Sequence, residues 1–301
     1  MRYFLFLVIA ILFISCQKKT REKAPAEATL WGAGKISIEA PEFATTVNAD
    51  QNEVYFNRTS ADRSTMQIMH ATYANNSWSD AVSLSFSSGL YRDVDPFLTA
   101  DGKRLYFSSN RPKKEGDEAG DFDTWFVEKI NGKWSAPINP GAPLNSDSTE
   151  IFVTIAKNGN AYFVSERDGD RGIVVSRFEN NRYQAVEKIP LKLRASAIYA
   201  SNPCIASDES FLIVAARDPA GNGTPDLFVS WNVNGTWSEL KNLGEKVNSP
   251  YADFAPGLSK DDQTLFFSSE RPGIVPGQNE GVRPPGDIYK VHLEAILSEL
   301  R

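Results

Sequence analysis

The chain has 301 residues; 41% are hydrophobic, 11% aromatic and 23% charged, and 32 Lys+Arg against 38 Asp+Glu leave a net charge of −6. This is globular composition, which excludes a disordered or collagen-like chain, and an acidic balance with no basic patch argues against nucleic acid as a partner. Length alone admits two domains, but all-β propellers and barrels use as many residues in one.

In chain order, Arg2 precedes an apolar run from Tyr3 to Ile14, followed by Ser15 and Cys16. About a dozen apolar residues suit the core of a signal peptide and are short for a membrane span. Small Ser15 directly before Cys16 resembles the lipobox of bacterial lipoproteins, although Phe13 stands where that pattern usually has Leu. The resemblance implies that residues 1–15 are a signal peptide and that Cys16 is lipidated, with palmitate-type acyl chains. An ordinary secreted protein or an uncleaved anchor is the competing reading. Residues 16–27 are polar, lack a hydrophobic period and read as a tether. No Asp follows Cys16, which by resemblance to lipoprotein sorting points to the outer membrane, facing the periplasm. The other cysteine, Cys204, then has no disulfide partner and reads as a small buried hydrophobe.

The remainder repeats itself. DPFLTADGKRLYFSSNRP (95–112) and APGLSKDDQTLFFSSERP (255–272) share Pro, a spaced apolar pair, an acidic turn, an aromatic strand and Ser-Ser-x-Arg-Pro. Weaker copies begin at Thr45, Phe152 and Asn202. The anchors Phe56, Phe107, Phe163, Ile213 and Phe267 recur roughly every 50 residues. After each of the first four comes a strand, a short Asn/Gly turn and a second strand opened by Trp or Tyr. Asn-Gly between such runs is a strong hairpin signal. Each unit therefore carries four strands, A to D, and four strands per repeat of this length predict a β-propeller blade. The motifs around Asp95–Pro112 and Gly120–Asn139 resemble the WD-like repeat of TolB-type β-propellers, over nearly all of 43–291. The resemblance implies an all-β propeller and contacts with envelope proteins.

Five A–B hairpins predict five blades, and six would need a further hairpin. The fifth unit has only Asp287–Val291 as strand C, so residues 28–39 are expected to supply its strand D and close the ring. Leu293, Ile296, Leu297 and Leu300 then predict a short amphipathic helix, which completes a single domain over 28–301.

The B–C loops are long in three blades, which makes the face shared by D–A and B–C connections the expected binding surface. Polar residues fall there at repeat-equivalent positions: Asp93 and Asp95, Glu150, Asn202 and Asp253 near the start of strand A, and Arg111, Arg167, Arg217 and Arg271 at the end of strand B. Arg forks there suit a carboxylate or phosphate ligand. The same pattern also suits Arg–acid pairs that hold the scaffold together, and a feature repeated in every blade leans that way. Trp125 and Trp231 are core in one reading and exposed stacking platforms in the other.

His70 and His292 fall in no metal or triad pattern, and HExxH, GxSxG, Walker A and GxGxxG are absent. Asp121/Asp123 and Asp168/Asp170 resemble short calcium loops but lack full spacing, so no cofactor is expected beyond a weak indication of calcium. The primary expectation is a monomeric, lipid-anchored envelope propeller that binds a protein, peptide or glycan without catalysis. The alternative is an envelope glycoside hydrolase using two of Asp93, Asp95, Glu150 and Asp253 across the channel.

Overall fold

A computed structural model describes residues 25–301, apart from 115, 117, 193–198, 220 and 276–284. The expected signal peptide, Cys16 and all but the end of the tether lie outside the described residues. No helix among the described residues is long and apolar enough to cross a membrane.

Five antiparallel units stand around a central channel as a five-bladed β-propeller. Strands A, B and C are Glu42–Val47, Glu53–Thr59 and Met66–Ala74 in blade 1, and Asp93–Leu98, Arg104–Ser109 and Asp123–Ile130 in blade 2. Blade 3 has Glu150–Ile155, Ala161–Ser165 and Gly172–Ser176, and blade 4 has Tyr199–Ile205, Phe211–Arg217 and Asp226–Val233. Blade 5 has Asp253–Leu258, Thr264–Ser269 and Asp287–His292. The A strands touch their neighbours in a closed circle around the channel. Alternation places one side chain of each pair towards the next blade, and the fully buried Phe56, Phe107, Phe163 and Phe267 fill those interfaces.

Strand D is fragmentary. In blade 1 it is Ser77–Trp78 and then Val82–Ser83, both paired with strand C. Blade 4 repeats this with Thr236–Trp237 and Lys241–Asn242. Very short outer strands leave little open edge for unwanted pairing. The C–D turns explain the Asn/Gly signal: Asn131 (φ 50°) and Gly132 (φ 79°), like Asn234 (φ 52°) and Gly235 (φ 82°), put both central residues at positive φ, the geometry of a type I′ hairpin.

The ring closes as expected from the sequence. Thr29–Leu30 pairs antiparallel with Lys290 and Tyr289, and Trp31 N–H donates to the Ile288 carbonyl at 2.8 Å. Trp31 is buried, edge-on to Trp78 (5.3 Å) and tilted on Phe266 (4.6 Å). The chain is held from Pro25, whose carbonyl accepts from His292 N–H at 2.7 Å on the face of the A–B turns. The helix Leu293–Leu300 buries Leu293, Ile296 and Leu297 in the core between blades 4 and 5.

Candidate functional site

The predicted polar residues separate into two groups. The first is structural in its contacts. In blade 2, Arg111 Nη2 lies 2.6 Å from Asp93 Oδ1, Arg111 Nε donates to Ser109 Oγ at 3.0 Å, and Ser109 Oγ donates to Asp93 at 2.6 Å. Arg111 also donates to the Phe86 carbonyl of the preceding D–A loop. Blade 3 repeats the cycle with Arg167, Ser165 and Glu150 (Arg–Glu 3.1 Å). Blade 5 pairs Arg271 with Asp253 at 2.7 Å, and Arg271 Nε donates to Ser269 Oγ at 2.7 Å. Asp93, Glu150 and Asp253 are all essentially inaccessible to solvent. Blade 1 carries a variant in which Arg58 pairs with Glu42 at 2.7 Å; burial pushes the Glu42 carboxyl up to about 8. Each clamp ties the start of strand A to the end of strand B, and each Arg also holds the D–A connection arriving from the previous blade, Arg58 through the Lys35 and Ile36 carbonyls. Blade 4 has lost its clamp: Ala200 pairs opposite Ala216 at the acid and serine positions, and Arg217 is exposed with no ion-pair partner among the described residues.

The sequence reading missed the support beneath these clamps. Asn145 and Asn248 sit in D–A loops and each grips one residue of strand C, accepting from Thr124 N–H and Leu227 N–H and donating to the carbonyls of the same residues. The next residues, Ser146 and Ser249, donate both N–H and Oγ–H to Glu150 and Asp253. The signal was present as Asn-Ser-x-x-x-acid in LNSDSTE (144–150) and VNSPYAD (247–253).

The second group surrounds the channel axis. Every A strand shifts register at the same place, between Phe43 and Thr46, Val94 and Phe97, Ile151 and Thr154, Ser201 and Cys204, and Phe254 and Gly257. In each bulge one non-glycine residue adopts the left-handed conformation: Ala44 (φ 50°), Asp95 (φ 57°), Phe152 (φ 60°), Asn202 (φ 50°) and Ala255 (φ 49°). Such residues cost about 1–3 kcal/mol each and persist where the surroundings enforce them. Part of the enforcement crosses blades. Asn57 accepts from Asp95 N–H (2.7 Å), Ser108 from Phe152 N–H (3.0 Å) and Ser268 from Ala44 N–H (3.2 Å), each from the blade before.

Asp95 is the charged member of this circle. It is 7% exposed, and its carboxylate accepts no hydrogen bond from the described residues, so burial alone raises its pKa to about 7. It lines a cavity of about 750 Å³ running from the bulges to the A–B turns. This differs from the expected position: the cavity lies on the A–B turn side, not on the face of the long B–C loops. Of the four carboxylates considered for catalysis, Asp95 alone lines it.

Lys260, from the A–B turn of blade 5, reaches across towards blades 1 and 2. Its Nζ donates to the Leu98 carbonyl (2.5 Å) and Thr46 Oγ1 (3.4 Å) and lies 4.6 Å from the Phe97 ring centre. Burial lowers its pKa to about 8. Phe97, Tyr106, Phe178 and Tyr183 supply aromatic wall, and Lys103 and Lys157 stand nearer the turns. Cys204 also lines the cavity, with burial pushing its thiol up to about 12, which makes it a poor nucleophile. Gly257 is required where strand A of blade 5 meets blade 1, because a Cβ there would lie 2.0 Å from the Thr45 carbonyl oxygen.

Trp125 and Trp231 are buried at 6% and 9% exposure, so the stacking-platform reading is corrected: they pack under Arg111 and Lys241. Asp170 pairs with Lys188, and Asp123 with Lys113. No cluster of three or more His, Cys, Asp or Glu suited to a metal occurs among the described residues.

No protein-family model and no curated protein matches the chain. Solved structures share its fold. An α-L-arabinofuranosidase from Lactobacillus brevis superposes with a TM-score of 0.54 at 11% identity, covering 85% of this chain and 92% of that one. The catalytic domain of a Coprinopsis cinerea GH62 α-L-arabinofuranosidase gives 0.51 at 12% identity, covering 89% and 94%. TolB from Acinetobacter baumannii gives 0.47 at 12% identity over 83% of this chain, which spans only 54% of that protein. At these identities the likeness is one of fold.

Proposed function

We propose that this chain is a lipid-anchored propeller of the bacterial envelope, attached through Cys16, that binds a ligand without chemical turnover. The site favoured by the geometry is the central cavity, in place of the B–C loop face. The observation supporting this reading is the fate of the carboxylates. Asp93, Glu150 and Asp253 are engaged by Arg111, Arg167 and Arg271, which leaves Asp95 as the one carboxylate of that set lining the cavity. Retaining or inverting glycoside hydrolysis uses a pair of carboxylates facing one sugar bond. Asp101, Glu128 and Asp262 also line the cavity but are engaged by Thr99, Arg104 and Ser207, and one acid without a protein partner among the described residues, set among aromatic walls and cations, suits recognition. The expected partner is a protein, peptide or glycan of the envelope, taken up by a monomer.

The test combines localisation and capture. Cys16→Ser is expected to release the protein from the membrane fraction. In-cell crosslinking from photoreactive groups at Lys103 and Lys157, on the turn side, is expected to capture a partner that the same groups at Arg217 do not. Equal capture from both faces, or none from the turn side with capture at Arg217, would refute the assignment.

A further inference from the structure

The cavity contains an acceptor and a donor that the described residues do not fully satisfy, and together they describe a ligand. Asp95, 7% exposed, faces the cavity and accepts nothing from the described residues. A buried polar group without a partner is costly, and a fold that retains one does so most readily for a ligand that completes it. The ammonium of Lys260 has three N–H groups and two protein acceptors, Leu98 O and Thr46 Oγ1. One donor remains.

Strand geometry relates the two. Lys260 Nζ sits against the carbonyl of Leu98, three residues along strand A from Asp95. Asp95 stands in the bulge and Leu98 ends the same strand, so the carboxyl and the ammonium line one cavity, and a ligand touching both presents a donor and an anion on a single small molecule. Phe97 lies between them on the same strand, and Phe178, Tyr106 and Tyr183 add further ring surface to the cavity.

We infer that the cavity is a site for a hydroxylated carboxylate of the sugar-acid class, its hydroxyls donating to Asp95, its carboxylate taken by Lys260 and its ring laid on the aromatic wall. An apolar ligand would leave both polar groups unsatisfied. A phosphate would bring two charges close to Asp95, and a simple cation would meet Lys260, Lys103 and Lys157. Asp95 holding its proton until near neutrality suits a hydroxyl partner, since no fixed cation is demanded opposite it. This inference rests on the proposed binding function of the cavity and names its ligand class.

The test is calorimetric titration of the protein with sodium D-glucuronate, D-glucose and D-glucosamine, which share one ring and differ in charge. Glucuronate is expected to bind at least tenfold more tightly than glucose, and glucosamine no better than glucose. Asp95→Asn should weaken glucuronate at least tenfold. Lys260→Met should abolish the preference for glucuronate over glucose, while Lys260→Arg retains it; unfolding curves on each variant confirm a folded ring. Equal affinity for glucose and glucuronate, a preference for glucosamine, no binding of any of the three, or an Asp95→Asn variant with unchanged affinity would overturn the sugar-acid assignment and leave the binding reading standing. Cleavage of a glucuronate-containing oligosaccharide, lost in Asp95→Asn, would instead overturn the non-enzymatic reading.

Discussion

Asp95→Asn should make the protein more stable, and increasingly so as pH rises. The carboxyl has an ordinary value of 3.8 in the unfolded chain and about 7 in the folded ring, with burial as the cause. A folded value raised above the unfolded one means that the native state binds its proton more tightly. Stability is therefore greatest below the unfolded value, falls as pH rises towards 7 and is level above it. The loss from this one group is about 2 kcal/mol at pH 5 and about 4 kcal/mol at pH 8. Asn has no charge to desolvate and tolerates the left-handed backbone; Asn202 occupies the equivalent bulge of blade 4 at φ 50°. The stability of the variant minus that of the parent, from urea curves at both pH values, should grow by about 2–3 kcal/mol between pH 5 and pH 8. Other displaced groups, such as Glu42, titrate in both proteins and cancel in the difference. A difference that is the same at both pH values, or a variant that loses ground at pH 8, would refute the claim that Asp95 is a buried, unpartnered carboxyl. A variant that is more stable yet binds no ligand would show that the native residue is retained for function at the expense of stability.

Arg271→Ala leaves Asp253 buried without its partner and should cost about 3–5 kcal/mol, whereas Arg217→Ala, at the blade that has lost its clamp, should stay within about 0.5 kcal/mol; equal effects in urea unfolding would mean the clamps do not hold the blades. Trp31→Ala removes the buried aromatic that fastens the closing strand and should cost about 3–5 kcal/mol, read as a shifted denaturation midpoint. An unshifted midpoint would show that the ring does not depend on that strand.

The blade architecture was legible because hairpins are local. Aromatic B strands, acidic A–B turns and Asn-Gly turns each announce themselves within a few residues, and five copies in register leave few topologies to consider. Closure by residues 28–39 was legible by subtraction, since strand C of blade 5 had no following partner. The site was less legible. Asp93, Asp95, Glu150 and Asp253 read alike in a linear alignment, yet one added residue in the bulge turns Asp95 onto the axis while its neighbours face Arg. The hint was that Asp95-Pro96, Asn202-Pro203 and Ala255-Pro256 align, so that Asp stands where other blades have neutral residues. Lys260 was hidden for a different reason. Its role depends on reaching Leu98 and Thr46, which belong to blades that come together only when the ring closes. The depth of Trp125 and Trp231 was likewise a property of blade packing, which strand pattern alone does not report.

The hydrogen bond between Pro25 and His292 fixes where the chain enters the ring, at the outer edge of blade 5 on the same face as the A–B turns towards which the cavity runs. If Cys16 carries the lipid, the nine residue steps to Pro25 (25 − 16) span at most about 30 Å. The propeller would then hang mouth-down over the bilayer, and anything reaching Asp95 would have to pass sideways through a gap no deeper than that. Tether length would act as a size filter that leaves the pocket's chemistry untouched: compact ligands or flexible chain ends pass, while bulky folded domains do not. The same leash would keep the long B–C loops turned away from the membrane, so a second encounter on that surface would be drawn from the opposite side.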